Sequence, residues 1–356
     1  MRKTTLAVML MLGIITFAQT KIAFSKLVKQ EDGNYYYEGN AYTGESLMLW
    51  PSNNKPMQRI TWTNGEIDGL FSSWYEDGKQ DQEIGYKKGV RHGVFRTFYR
   101  NGLPEVDCMY QEGVLNGSYR AFRANGEPLK KAMFVNGKEE GPFVTYHDNG
   151  NEEQVGNFKN GLPDGLVTSY DREGAKRKEI NYANGVRHGI TTLYHISEKI
   201  AETSEYVDGF ATGERLVYSL EGSLMLKETY QEGKLEGESV IYTMSGNPIE
   251  IKTFKNGLLN GAYKSYKEEG LDTYGDYEDG LKTGPWVEHR YNEGGVDEGS
   301  YIKGKRNGPW KVGATNLYGK CEGEFKDDMK HGTWNYWKHN GKKWKKEQWD
   351  NGVLLK

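Results

Sequence analysis

The chain has 356 residues, a formal charge of −3 and two cysteines, Cys108 and Cys321. It is 13% aromatic but only 36% hydrophobic, and it holds 46 glycines. That many aromatics exclude a disordered chain, that many glycines exclude long helices, and the near-neutral charge excludes a global nucleic-acid footprint.

Met1-Arg2-Lys3 is a short basic start, Thr4 to Phe17 is an apolar run of 14 residues, and Thr16-Phe17-Ala18 offers a small-x-small cleavage site. This order reads as a secretory signal peptide over 1–18, because the run falls short of the about 20 residues that span a bilayer. An uncleaved N-terminal anchor is the alternative. The expected location is exported: a periplasm, an outer-membrane-associated site or the extracellular space.

Residues 19–58 read as a degenerate repeat or cap. Tyr35-Tyr36-Tyr37-Glu38-Gly39 and Tyr42-Thr43-Gly44 echo, out of phase, a phrase that recurs regularly afterwards. From residue 59 to 356 the chain is a repeat array. A glycine three residues after an aromatic falls at Gly65 and then at eight successive steps of 24 residues, to Gly257. One step of 23 leads to Gly280, then steps of 24 lead to Gly304, Asp328 (where the glycine is lost) and Gly352. A second glycine follows four residues later in every complete repeat, from Gly69 to Gly332. The shortened step after Gly270 predicts a local kink, not a domain boundary.

Short aromatic and β-branched runs separated by Asn-Gly or Asp-Gly signal hairpins. The expected fold is all-β: an extended, twisted antiparallel β-meander or solenoid of about twelve hairpin repeats. If Asn184 opposes Gly189 across the turn, Tyr182 opposes Thr191, nine residues on. That rule pairs Trp62 with Phe71, Tyr277 with Trp286, Tyr301 with Trp310 and Phe325 with Trp334, and makes eight of twelve pairs aromatic on both sides. Such pairs would form a buried ladder. Four consecutive pairs break it, because Phe158, Tyr182, Tyr206 and Tyr230 face Val167, Thr191, Arg215 and Ser239. Either the repeats have drifted, or this stretch is softer and more open and a partner fills it.

The phrase Tyr-x-Asn-Gly-x-x-x-Gly-x-aromatic-x-x-Tyr-x-x-x-Gly resembles MORN repeats, and more closely the bacterial YwqK-type variant found in proteins regarded as antitoxins. Asn184 to Gly189 and Tyr301 to Gly308 fit it well, and the resemblance covers about residues 59–356. It implies an extended β-sheet used as a binding scaffold, with some relatives contacting phospholipids and others positioning partner proteins.

Candidate chemistry is sparse. His92, His188 and His331 occupy one repeat slot, which tandem copying explains, and no histidine has metal-ligand spacing. Acids before glycines read as turn formers rather than calcium ligands. No P-loop or nucleophile elbow is present. The expectation is a non-enzyme without cofactor, metal or nucleic-acid partner. At roughly 5 Å per strand the two cysteines lie too far apart to pair.

Two surfaces are candidates. Tyr146, Tyr170, Tyr194, Tyr218, Tyr242 and Tyr266 recur five residues after the second glycine, and the period-2 rule turns them away from the ladder. They could bind another protein, or simply cover the second face. The C-terminal end, a cap from about residue 338, gathers Trp337, Lys342, Lys343, Trp344, Lys345, Lys346 and Trp349. Tryptophan with lysine suits glycans or an anionic membrane surface, while lysines also guard exposed edge strands. An exported protein-binding scaffold is the leading functional expectation, glycan or anionic-surface binding the next, and an antitoxin or immunity role the third.

Overall fold

The computed structural model describes residues 21–268, 270–290 and 295–355; the expected signal peptide lies outside them. The fold is all-β, an antiparallel meander of hairpin repeats. Among the described residues there is no α-helix, only one 3-10 turn at Phe24–Lys26. The chain divides into two compact units, one up to Glu152 and one from Glu153. Within each unit the strands pair in chain order.

Each turn at the aromatic-x-x-Gly phrase is a two-residue loop. Asn184 and Gly185 both have positive φ, 49° and 83°, and Asn64 and Gly65 repeat this at 51° and 86°. That is the type I′ geometry that matches the twist of the flanking strands. Glu38 and Gly39, at 50° and 81°, already carry it in the N-terminal segment. Most of the opposite turns are three-residue loops. Gly78, at φ 92°, closes one in which Tyr75 N–H donates to Lys79 O at 2.9 Å and Asp77 Oδ1 accepts from Lys79 N–H at 3.0 Å.

The register differs from the nine-residue rule. Ala183 pairs with Val186, so Tyr182 lies opposite Arg187; after a bulge, Ile180 lies opposite Thr191. Likewise Trp62 lies opposite Ile67, and Ile60 opposite Phe71. The cause is the second glycine. It has positive φ in all twelve complete repeats, for example 125° at Gly69, 96° at Gly189 and 68° at Gly332. A bulge residue in that region absorbs extra chain and shifts the pairing.

Adjacent repeats are tied at both margins. On the I′ side the turn glycine N–H donates to the previous repeat, as in Gly89 to Ile67 O and Gly233 to Ala211 O, both 2.8 Å. On the other side Tyr75 Oη donates to Phe98 O at 2.7 Å, and Tyr99 Oη to Phe122 O at 2.8 Å. The same slot is filled by Arg123, whose Nη2 donates to Tyr146 O at 2.7 Å.

At the N-terminal end the hairpin geometry reaches back to Gly44. Strand Gly44–Leu49 pairs antiparallel with Pro56–Thr63, and Lys21–Ala23 adds to it in parallel. A separate sheet of Val28–Lys29, Tyr35–Tyr37 and Asn40–Ala41 lies nearby in sequence. Tyr42, Ile60 and Trp62 form a core there with Phe24, Tyr35 and Phe71 against them, and Trp62 Nε1 donates to Ser46 Oγ at 2.8 Å.

Candidate interaction surface

The ladder exists, but as ring contacts rather than as register pairs. Tyr277 and Trp286 have centroids 5.1 Å apart, Tyr301 and Trp310 5.2 Å, and Phe325 and Trp334 4.9 Å. Rings also meet between repeats, Trp286 with Tyr301 at 6.0 Å and Trp310 with Phe325 at 5.9 Å. Each tryptophan lies over a glycine of the neighbouring strand (Gly275, Gly299 or Gly323), where a Cβ would overlap the indole. Each indole N–H donates to a backbone carbonyl, for example Trp310 Nε1 to Ser300 O at 3.2 Å.

A basic residue two positions past the turn glycine sits among these rings. Arg91 lies 5.1 Å from the Phe95 centroid and 5.5 Å from that of Tyr110. Arg306 lies 4.0 Å from Phe325, and Lys330 lies 4.7 Å from Trp334 and 4.9 Å from Trp349. These cation–π contacts were not foreseen. The available signal was the recurrence of Arg91, Arg187, Lys282, Arg306 and Lys330 at one repeat slot.

The four-repeat break in the ladder is filled, not open. Val167, Thr191 and Ser239 are buried. Arg215 lies between register partners Ser204 and Glu228. Its Nη2 donates to Glu202 Oε2 at 2.8 Å and its Nη1 to Glu228 Oε2 at 3.0 Å. Hydrogen bonds from the guanidinium to these carboxylates, led by Glu202, hold its pKa above the ordinary value, against the opposing effect of burial.

The repeated tyrosines do not stand free. Tyr146 is buried, at 8% exposure, and Tyr170, Tyr194, Tyr218, Tyr242 and Tyr266 are half-buried. The register shifts immediately before this aromatic, between Leu193 and Tyr194 or between Val217 and Tyr218, so strict alternation stops there. Tyr194 Oη donates to Glu179 Oε2 at 2.5 Å, and Lys176 lies 5.6 Å from its ring. Lys131 covers the Tyr146 ring at 5.2 Å.

At the C-terminal end the tryptophans separate into two sets. Trp286, Trp310 and Trp334 are core residues, with Cys321, Phe325 and Tyr336 packed among the last two. Trp337 and Trp349 are half-buried, the first under Lys320 at 4.6 Å, the second donating from Nε1 to Glu347 Oε2 at 3.0 Å. Trp344 is 46% exposed, and Lys342, Lys343, Lys345 and Lys346 are all exposed. Lys345 pairs with Glu347 at 2.6 Å. These residues occupy strand Lys343–Asp350, whose outer side pairs with Val353–Leu354 only at Trp349 and Asp350.

The structure adds a surface that the sequence pattern did not single out. The residue just after the turn glycine is apolar and exposed in most repeats: Val90 and Val114 in the first unit, and Leu162, Val186, Phe210, Leu258, Leu281, Met329 and Val353 in the second. Seven of the nine, all but Leu258 and Val353, lean toward the turn of the next hairpin. A Cβ on Gly113 would lie 3.0 Å from Val90 Cγ1, and one on Gly209 3.1 Å from Val186 Cγ1. The result in each unit is an apolar row along the turn margin.

Titratable groups outside the ion pairs offer little chemistry. Cys108 and Cys321 are free and buried, and burial pushes the Cys108 thiol up to about 11, leaving it protonated and a poor nucleophile. His188 Nδ1 lies 3.5 Å from Asp208 Oδ1, and His331 Nδ1 3.4 Å from Asp350 Oδ1. Among the described residues no group of three or more His, Cys, Asp or Glu is placed to hold a metal ion, and no helix is long and apolar enough to cross a membrane.

No family model matches the chain, and no curated protein matches it. Solved structures that it resembles include alternansucrase in complex with isomaltononaose, at 14% identity over 72% of this chain and 22% of that one, with a TM-score of 0.17. A TcdB2–TccC3–Cdc42 structure is similar at 10% identity over 83% of this chain and 17% of that one, with a TM-score of 0.15. The chain spans less than a quarter of either, and a likeness this slight says nothing about its role.

Proposed function

We propose that this chain is a non-enzymatic, exported repeat scaffold of MORN type that binds another protein. The observation that carries this reading is the apolar row on the turn margin. The hairpins present an exposed aliphatic or aromatic side chain at equivalent positions in nine of the thirteen turns, with Glu66, Lys138, Lys234 and Lys305 in the others. Contiguous exposed apolar area of this kind marks interaction sites. The row, rather than the half-buried tyrosines, provides that area. Crosslinking mass spectrometry in the native host tests the reading. A partner should crosslink beside the row, and Val186→Lys with Leu281→Lys should lower its recovery. Crosslinks confined to other faces, or unchanged recovery by the double variant, would count against it.

A second reading rests on the Trp344 strand. An exposed indole flanked by Lys343, Lys345 and Lys346 favours a glycan or an anionic membrane surface. Replacing the lysines of 342–346 by serine should abolish binding to anionic vesicles or arrayed glycans; unchanged binding removes this reading.

A further inference from the structure

We infer that the groove beside Phe210 docks a basic polypeptide segment, one that carries lysine or arginine next to an apolar side chain. The inference rests on the scaffold reading and specifies the partner's chemistry. A cavity of about 590 Å³ opens on the turn margin of hairpin Ile200–Val207 and Phe210–Tyr218. Val207, Asp208, Phe210, Thr212, Gln231 and Glu232 line it. That volume accommodates a few side chains, not a whole domain.

Phe210 is 61% exposed. The same slot holds Val186 in the preceding repeat and Lys234 in the following one, so the ring is particular to this hairpin. Its inner side rests on Gly233, where a Cβ would lie 3.4 Å from Phe210 Cδ1. The ring lies against the next turn and leaves its outer side open.

The charge on the lining residues has one sign, with His188 and Lys234 the basic side chains nearest them in the neighbouring turns. Two of the six lining residues are carboxylates and none is basic. Residues 200–240 hold nine acids against three bases. Arg215 is committed to Glu202 and Glu228, and Lys227 to Glu214 at 2.5 Å. Asp208 keeps most of its side chain in solvent, although His188 lies 3.5 Å away. An aromatic ring between two carboxylates suits a lysine or arginine head, which gains cation–π and charge attraction together. Val207 and Phe210 then offer apolar cover to its neighbour. A second copy of this acidic margin would meet like charge, and an acidic segment would be repelled for the same reason.

The test is fluorescence anisotropy of the full chain with three short labelled peptides, in which leucine alternates with arginine, glutamate or serine. The arginine peptide alone should bind, with affinity falling as salt rises. Phe210→Ser should weaken it about tenfold, and Asp208→Asn with Glu232→Gln should weaken it and flatten the salt dependence. Ile196→Ser, 85% exposed in the turn on the opposite margin and outside the apolar row, should leave binding unchanged. Because Phe210 is exposed, an unchanged unfolding temperature verifies that its variant is folded. Equal binding of the glutamate or serine peptide overturns the inference, as does no binding of the arginine peptide, insensitivity to Phe210→Ser, or equal loss with Ile196→Ser. If the arginine peptide fails while crosslinking still places a protein on the turn margin, the scaffold reading stands and this inference falls.

Discussion

The indole of Trp310 lies against Gly299, in the space where any other residue would carry its Cβ. Trp310 is 2% exposed, anchored by its bond to Ser300 O and enclosed by Tyr301 and Phe325. It cannot withdraw without breaking those contacts. Gly299 lies outside the left-handed region, so alanine fits the backbone and gains about 0.4–1 kcal/mol through the unfolded chain. Overpacking costs about 1–3 kcal/mol and outweighs that gain. Gly299→Ala is therefore expected to destabilise by about 1–2 kcal/mol, measured by urea unfolding. A variant as stable as the parent would mean that the indole can shift away from the new methyl group at no cost.

Arg215 poses the opposite problem, a charge in a slot that other repeats fill with a ring. Its side chain is 31% exposed, and Glu202 and Glu228 are more enclosed, at 20% and 14%. Removing the cation alone leaves two carboxylates facing each other, so Arg215→Ala should cost about 1–3 kcal/mol, discounted for partial solvent screening. Restoring the pattern of later repeats, with Arg215→Trp over Ser204→Gly and with Glu228→Gly at the other register partner, exchanges the ion pair for a ring over glycine. Adding Glu202→Gln removes the remaining carboxylate. The quadruple variant should recover most of the loss, as buried ion pairs replaced by packed apolar groups often do. Thermal unfolding of both variants distinguishes a specificity device from a stabilising one.

The period, the turn chemistry and the all-β class were legible because they depend on local rules. Asn184-Gly185 can hardly form anything but a tight turn, and an aromatic before it reads as strand. The register was not legible. Glycine at 189 is compatible with turn, strand or bulge, and only the bulge moves Thr191 from Tyr182 to Ile180. The tyrosines were misplaced for the same reason. Period-2 reasoning carries across an uninterrupted strand, and the shift between Leu193 and Tyr194 interrupts it. Gly299 was visible as a glycine, but its partner Trp310 could be assigned only once the neighbouring strand was in place.

Asp328 replaces the turn glycine at φ 69°. Its Oδ1 accepts from Arg306 N–H at 2.9 Å and from Arg306 Nε at 3.1 Å. Burial works against the charged carboxylate, yet these bonds and the guanidinium outweigh it and hold the pKa below the ordinary value. A lowered folded pKa means that the contribution is present above the unfolded value, about 4, and is lost as pH falls through the folded one. Asp328→Gly relieves the left-handed backbone but loses both bonds. It should be near neutral at pH 7 and gain on the parent in acid. A stability difference independent of pH between about 2 and 7 would show that the carboxylate contributes nothing.

Lys330 supplies the alkaline counterpart. Its Nζ donates to Tyr336 Oη at 2.7 Å and lies near Trp334, Tyr336 and Trp349. Burial is the largest influence on it and lowers its pKa, and nearby Lys345 and Arg306 act in the same direction. A lysine with a depressed folded pKa is bound to its proton more tightly in the unfolded chain. Stability therefore rises with pH above the folded pKa, until the unfolded value near 10.4 is passed. Below that window the buried charge is a standing cost, only partly offset by the rings. Lys330→Met keeps the aliphatic stem among the tryptophans and removes the charge. It should raise the unfolding temperature at pH 7 by a few degrees, on the order of 2–4 °C, and abolish the alkaline rise. A lower unfolding temperature for Lys330→Met would mean that the cation–π contacts outweigh the burial of the ammonium, and that the basic slot stabilises the ladder outright.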